Sequence, residues 1–152
     1  MKHLKKLAAL LLVGVLALSL LTACGGGGGS TSADAQAEAA VMTAINENRP
    51  VKLQNDPALC ETAKQDLDAA IKFGNLSSSF TFKDHTDLKN GKIGYTFIAK
   101  CDYKNTDLAK LIKTDTNINS SHMDNWSKVG VVVRTVDGQT YIAISVVVAF
   151  KT

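Results

Sequence analysis

Two histidines are the first residues in this sequence whose side chains could perform chemistry. His85 and His122 are the only histidines after position 3, and each lies in a polar, loop-like stretch. Two neutral imidazoles facing one groove could bind a divalent metal or carry protons near neutral pH. The alternative is a pair of exposed or structurally hydrogen-bonded histidines, because a tight metal site needs more than two ligands. We expect weak divalent-metal binding at most and no other cofactor.

Cys24 has a context that predicts covalent lipidation. Three lysines precede an apolar run from Leu7 to Ala23, and the residues 21–24 read Leu-Thr-Ala-Cys, the form of a lipobox. Cleavage before Cys24 would leave a sulfur that carries acyl chains, whose buried methylenes hold a protein on a bilayer. The alternative is an uncleaved membrane anchor, since the apolar run reaches the short end of spanning lengths. The pattern predicts a lipoprotein on the extracytoplasmic face of a bacterial cell membrane.

Cys60 and Cys101 are the two cysteines that remain if Cys24 is lipidated. An even number of thiols in an exported protein favours a disulfide. Closing a loop of about 40 residues would stabilise the fold by roughly 3–4 kcal/mol in the chain-entropy model. The alternative is two separate buried thiols that pack as small apolar side chains.

Charge and length narrow the class of protein. The chain has 17 Lys and Arg against 14 Asp and Glu, and three of the lysines precede Cys24. The processed chain is therefore neutral, so net charge gives no reason to expect nucleic-acid binding. We expect a signal peptide over 1–23, a lipidated cysteine with a Gly/Ser tether over 24–33, and one domain over 34–152.

The elements that would position these residues begin with helices. The region 35–48 is alanine-rich with apolar residues at helical spacing. A second helix has clearer ends, because Asp56 suits the N-cap, Pro57 the first turn and Gly74 the position after the last turn. A short helix is expected over 106–113, with Asn105 or Thr106 as its cap. The polar stretch from 114 to 125 is expected to be mostly loop, with a helical turn as an option.

Strand signals dominate the last third of the chain. Residues 129–136 and 139–150 are rich in β-branched side chains and flank Asp137-Gly138, which favours a two-residue type I′ turn. Residues 93–103 alternate as a third strand, and a short strand near Phe80 and Phe82 is an option. The run at 146–148 is apolar on both faces, as in a sheet covered on both sides. We expect an α+β fold in which a small, mostly antiparallel sheet lies between helices.

Six segments together resemble the CAP superfamily, the cysteine-rich secretory, antigen 5 and pathogenesis-related 1 proteins, in a short bacterial form. No single motif is specific, and the likeness rests on their order from about residue 40 to residue 150. The segments are Ala44–Arg49, Leu53–Leu59 followed by Ala63, His85-Thr86, Gly94–Ala99, Ser121–Asn125 and Val129–Val132.

The resemblance implies an α-β-α sandwich with a cavity that holds histidines and glutamates. In this chain Gly94-Tyr95-Thr96 stands where a glutamate is usual, and Glu61 is the last glutamate of the sequence. Asp84, Asp87 or Asp124 could substitute, but with a shorter side chain. The candidate cleft residues are therefore His85, His122, Tyr95 and Asp124, without an intact metal site.

We expect this domain to act by binding and not by catalysis. Ser120, Ser121 and His122 are adjacent, but adjacency does not build a triad and no Gly-x-Ser-x-Gly elbow is present. The alternative is a hydrolase or metal-dependent enzyme that uses a His85/His122 cleft. Aromatic residues could line a ligand groove or pack in the core: Tyr95, Phe97 and Trp126. The bilayer is the expected partner through Cys24, and the ligand is left open among an apolar small molecule, a cell-wall polymer and a surface protein.

Overall fold

The computed structural model describes residues 32–74 and 76–149. The predicted signal peptide, the lipidation site Cys24 and most of the predicted tether lie outside these residues. Among the helices of the described part, none has the length and apolar character needed to cross a membrane.

Four α-helices and four strands follow one another along the described chain. The helices are α1 (Ser32–Asn46), α2 (Pro57–Phe73), α3 (Leu108–Thr114) and α4 (Thr116–Ser120). The strands are β1 (Thr81–Asp84), β2 (Ile93–Lys100), β3 (Trp126–Val136) and β4 (Gln139–Val148). Single 3-10 turns at Leu88–Asn90 and Met123–Asn125 precede β2 and β3, respectively.

Local sequence determines the ends of α2. The carboxylate of Asp56 accepts hydrogen bonds from the N–H groups of Ala58 and Leu59, and Pro57 occupies the first turn. Gly74 ends the helix with a positive φ of 71°, and its N–H donates to the carbonyls of Ala70 and Ile71. The predicted ends of this helix are confirmed, since both caps satisfy backbone groups that a helix leaves open.

The strands form one antiparallel sheet in the order β1-β2-β4-β3. Asp137 and Gly138, with φ of 50° and 77°, turn the chain between β3 and β4, where Val136 pairs with Gln139. Positive φ at both residues is the signature of the type I′ turn, so the predicted hairpin is confirmed. β4 lies inside the sheet against β2, whereas β3 and β1 are its edges.

Helices cover both faces of the sheet, so the expected α-β-α sandwich is confirmed. A large core fills the space between one face and the helices α1, α3 and α4, with Val41, Ile112 and Ile118 among its members. A small core joins α2 to the other face through Ala63 and Leu67. Strand residues alternate between the two, as the pleat of a strand requires.

The predicted disulfide between Cys60 and Cys101 is wrong. Cys101 is a free, buried thiol of the large core, whereas Cys60 belongs to the small core on the other side of the sheet. A disulfide needs Cα atoms within about 7 Å of each other. The strands between the two cores prevent that approach.

Side chains of α1 and of the segment before α2 cover the outer edge of β3. Three N–H groups of this edge donate to side-chain oxygens: Val131 to Asn55, Val133 to Glu38 and Thr135 to Asp34, at 2.9, 3.1 and 3.3 Å. Unpaired strand edges invite pairing with other chains. These acceptors occupy the edge that another strand would otherwise use.

Candidate functional site

His85 lies in a polar cluster on the face of the sheet that α2 covers. Its Nε2 atom is 2.6 Å from Oδ2 of Asp66 and 3.1 Å from Oγ1 of Thr96. Thr96 in turn shares a 2.6 Å hydrogen bond with Ser145, and Lys83 donates to Oδ1 of Asp66 at 2.6 Å. The cluster therefore ties the edge strand β1 to α2 through side chains.

The geometry of this cluster supports a structural role. Burial alone would raise the pKa of Asp66, but hydrogen bonds from Lys83, Thr96 and His85 outweigh burial and lower the pKa. Both contacts of His85 use the same ring nitrogen, whereas a histidine that activates a nucleophile uses one nitrogen for each partner. Thr96 and Ser145 are 0% and 1% exposed, so no substrate could reach their hydroxyls.

His122 lies elsewhere, in the connection between α4 and β3. The residue is exposed with φ of 51°, and its flanking residues Ile118 and Trp126 belong to the large core. His85 faces Asp66 of α2, on the other side of the sheet. His85 and His122 therefore have different neighbours, and the cleft that they would share stays a prediction.

Metal binding finds no support in the described residues. Within 32–74 and 76–149, no three His, Cys, Asp or Glu side chains are grouped so that they could hold a metal ion. The carboxylate that contacts His85, that of Asp66, is already engaged by Lys83.

A different cleft opens on the face of the sheet opposite α2. Its volume is about 200 Å³, and β1, β2 and α4 build its walls. We call it the aromatic cleft and define it by its lining residues: Phe82, Asp84, Tyr95, Phe97, Asn117, Ser120 and Ser121. Of the four predicted cleft residues, Tyr95 alone lines it.

Strand register places one wall of the aromatic cleft. Phe82 pairs with Phe97, and Asp84 pairs with Tyr95, in the antiparallel ladder of β1 and β2. Directly paired residues carry their side chains on the same face, about 5 Å apart. The wall is therefore a block of three aromatic rings and one carboxylate.

The aromatic rings meet at different angles. Phe82 and Tyr95 have centroids 6.0 Å apart and planes at 86°, and Tyr95 and Phe97 are 6.0 Å apart at 43°. Trp126 stacks on Phe97 from behind, at 6.0 Å and 21°. Phe97 is 1% exposed and forms the floor, whereas Phe82 is 55% exposed and stands at the mouth.

Helix α4 supplies the opposite wall and is held in place over β1. Asp115 accepts the N–H of Phe80 at 3.1 Å, and the Asn117 amide donates to the Phe80 carbonyl. The Ser120 hydroxyl donates to the Asn117 carbonyl, and the Ser121 hydroxyl donates to the Ile118 carbonyl. The hydroxyl groups of this wall are thus used within the protein.

Asp84 is the only charged side chain that lines the aromatic cleft in the described part of the chain. Hydrogen bonds from the side chain and the backbone of Thr86 lower the pKa of Asp84. The side chain is exposed, and the N–H of Thr86 lies 2.7 Å from its Oδ1. The cleft therefore carries negative charge at neutral pH.

Asp124, the remaining predicted cleft residue, lies at a second hollow of about 580 Å³ beside Arg49 and Trp126. The guanidinium of Arg49 donates to the carbonyls of Met123 and Trp126. Burial lowers the pKa of Arg49, and the nearby charge of Asp124 opposes this effect. The two terminal nitrogens of the Arg49 guanidinium are thus held by the backbone, whereas its buried Nε has no hydrogen-bond partner in the described residues.

Sequence reasoning missed Phe82 as a cleft residue and named Asp84 only as one of three carboxylates that could replace a glutamate. The alternation of Phe82 and Asp84 with polar neighbours predicts a short strand, but no local signal says which residues of another strand lie opposite. The pairing with Tyr95 and Phe97 depends on the register of β1 against β2.

No protein-family model, no curated protein and no solved structure matches this chain.

Proposed function

We propose that this chain is an extracytoplasmic bacterial lipoprotein whose domain binds a small ligand in the aromatic cleft and does not transform it. An acyl anchor at Cys24 would hold the domain near the cell membrane. A distant relationship of residues 34–152 to the CAP superfamily is part of the proposal and rests on the order of the six segments described above.

The aromatic cleft is the observation that carries the binding proposal. Ligand sites are concave, mostly apolar and lined by a few polar groups that orient the ligand. In the aromatic cleft, three aromatic rings supply the apolar surface, and a carboxylate, an amide and two hydroxyls supply polar groups. At about 200 Å³, the cleft suits a single ring or a compact head group.

The chemistry of the lining supports binding over catalysis. Nucleophilic catalysis needs a hydroxyl or thiol within reach of a base. Ser120 and Ser121 donate their hydroxyl protons to backbone carbonyls, and the polar cluster of His85 lies on the other face of the sheet.

The binding proposal is tested by filling the cleft. Three probes are screened by NMR against the full-length protein in a nonionic detergent. Two are single rings, indole and N-acetylglucosamine, and the third is the compact cation choline. At least one should shift the backbone amide signals of Phe82, Tyr95 and Asn117. Ser120→Trp should abolish those shifts, because a large ring at the mouth occupies the cleft.

Gln65→Trp is the matched control, since it puts the same ring on an exposed position of α2. It should leave the shifts unchanged. A set of probes that moves no cleft signal, or moves them equally in the Ser120→Trp protein, would contradict the proposed site.

The anchor is tested separately. Wild-type protein should sediment with membranes and carry an acylated Cys24 at its N-terminus by mass spectrometry. Cys24→Ala should abolish acylation, and Cys101→Ala should not. An unmodified N-terminus at another position would rule out the anchor.

A further inference from the structure

The charge of the aromatic cleft narrows the class of ligand. Asp84 is its single charged side chain, and the nearest lysine along β1, Lys83, points to the other face and pairs with Asp66. An anionic ligand would meet an unopposed carboxylate beside apolar rings. A cation would instead find a counter-charge there.

The hydrogen-bonding groups of the lining distinguish between two kinds of cationic ligand, a primary and a quaternary ammonium. A primary ammonium carries three donors and is strongly hydrated, so it needs several acceptors to leave water. The acceptors of the lining are the Asp84 carboxylate, the Asn117 amide oxygen and the hydroxyl oxygens, whereas the aromatic rings that fill most of one wall offer none apart from the Tyr95 hydroxyl. A quaternary ammonium has no N–H to satisfy and is attracted to aromatic faces.

We infer that the aromatic cleft binds a free quaternary ammonium compound of choline size, with the rings of Phe82 and Tyr95 beside the methyl groups and Asp84 as the counter-ion. This inference rests on the proposed function and names the ligand class for the same site. The cleft holds the volume of roughly seven water molecules, at about 30 Å³ each, which a compact head group fills.

The test compares choline with 3,3-dimethyl-1-butanol, a neutral molecule of the same shape. Both are titrated into the full-length protein in maltoside detergent and followed by calorimetry and by the amide signals of cleft residues. Choline should bind at least about tenfold more tightly than the neutral analogue, because the analogue lacks both the ion pair and the cation–π attraction.

Variants separate the two attractions. Asp84→Asn keeps an oxygen that can accept from Thr86. It should weaken choline binding about tenfold without changing the affinity for the neutral analogue. Tyr95→Leu should also weaken choline binding, which keeps the test independent of Asp84. Asp87→Asn is the matched control, because Asp87 is another exposed carboxylate in a capped turn, where it accepts from Asn90, outside the cleft.

The outcomes distinguish this inference from the proposed function. Equal binding of choline and the neutral analogue at the cleft would overturn the charge inference and leave the binding site standing. The same result follows if indole or N-acetylglucosamine binds there and choline does not. No response of cleft signals to any of these probes would overturn both. Displacement of choline by phosphatidylcholine vesicles would overturn the inference that the ligand is a free compound. It would show that the cleft binds the head group of a lipid.

Discussion

The pKa values of two buried carboxyl groups are shifted in opposite directions. Glu38 is 4% exposed and Asp66 is 5% exposed. Burial raises the pKa of Glu38, the hydrogen bond from Val133 lowers it, and the charge of Asp34 raises it further. The pKa of Asp66 is lowered, because its partners outweigh burial. The pKa of each carboxyl group therefore depends more on its hydrogen-bond and charge partners than on how deeply the group is buried.

The raised pKa of Glu38 makes a prediction about pH. A carboxyl whose pKa is raised on folding contributes stability below its unfolded pKa of about 4.3, and this contribution is lost as pH rises through the folded pKa. Glu38→Gln removes the ionisation but retains an oxygen for Val133. We therefore expect it to match or exceed the wild-type free energy of unfolding at pH 7, with the difference vanishing near pH 4.

Glu38→Ala is the contrasting variant. It leaves the Val133 N–H without its acceptor and should cost about 1–3 kcal/mol. Urea denaturation at several pH values measures both effects. Equal destabilisation by Gln and Ala at pH 7 would show that the charge of Glu38 is needed, against this account.

At the scale of elements, the first turn of α2 lies directly on the backbone of β3. A Cβ atom added to Gly130 would lie 2.4 Å from the backbone N of Cys60 and 2.4 Å from the carbonyl carbon of Leu59. Backbone atoms cannot turn aside as a side chain can. Gly130 thus sets how closely the second helix approaches the sheet.

Gly130→Ala should accordingly destabilise the domain by about 2–3 kcal/mol, the upper part of the usual overpacking cost. Gly94→Ala is the matched control in β2, because an added Cβ there would meet its nearest atom, the Val146 carbonyl oxygen, at 3.3 Å. The expected order in thermal unfolding is wild type, then Gly94→Ala, then Gly130→Ala. A Gly130→Ala protein that melts with wild type would place α2 farther from β3.

The β3–β4 turn tests backbone strain without crowding. Gly138 has φ of 77°, and an added Cβ would meet nothing within 4 Å. Gly138→Val should therefore lose roughly 1–2 kcal/mol through the left-handed conformation alone. Gly138→Asn should lose less, because asparagine tolerates that region. Equal melting temperatures for all three proteins would exclude the type I′ turn in solution.

At the scale of the whole molecule, the sheet separates two environments. Cys101 packs with the large core, and Cys60 packs with the small one. The same division puts the polar cluster of His85 and the aromatic cleft on different faces. Residues that a sequence pattern groups by chemistry are therefore distributed between two layers.

The reactivity of the Cys101 thiol tests whether Cys101 is separate from Cys60. Burial raises the pKa of the Cys101 thiol, the hydrogen bond with Thr106 lowers it by less, and the charge of Asp102 raises it further. Because the thiolate is the reactive form, Cys101 should resist iodoacetamide in the native protein and react promptly in urea. Mass spectrometry of the labelled peptides measures this. A native peptide that joins Cys101 to Cys60 would restore the disulfide rejected above.

Much of the architecture follows from local sequence. Asp56, Pro57 and Gly74 mark α2, and Asp137-Gly138 marks the hairpin, because caps and tight turns depend on the conformational preferences of a few adjacent residues. Helix bounds shifted modestly: α1 begins at Ser32 instead of 35, and α3 is capped by Asp107 instead of Asn105 or Thr106. The α-β-α layering was expected from strands that are apolar on both faces.

The sequence by itself thus determined the first three helices, the hairpin, the sandwich and the aromatic character of Tyr95 and Phe97, whereas α4 lies in a stretch expected to be mostly irregular. Only the tertiary structure decided that Cys60 and Cys101 are apart, that His85 faces Asp66, and that Phe82 and Asp84 complete the cleft. The reason is physical. Local preferences act over a few residues, whereas the neighbours of a side chain depend on strand register and on which helix covers its face.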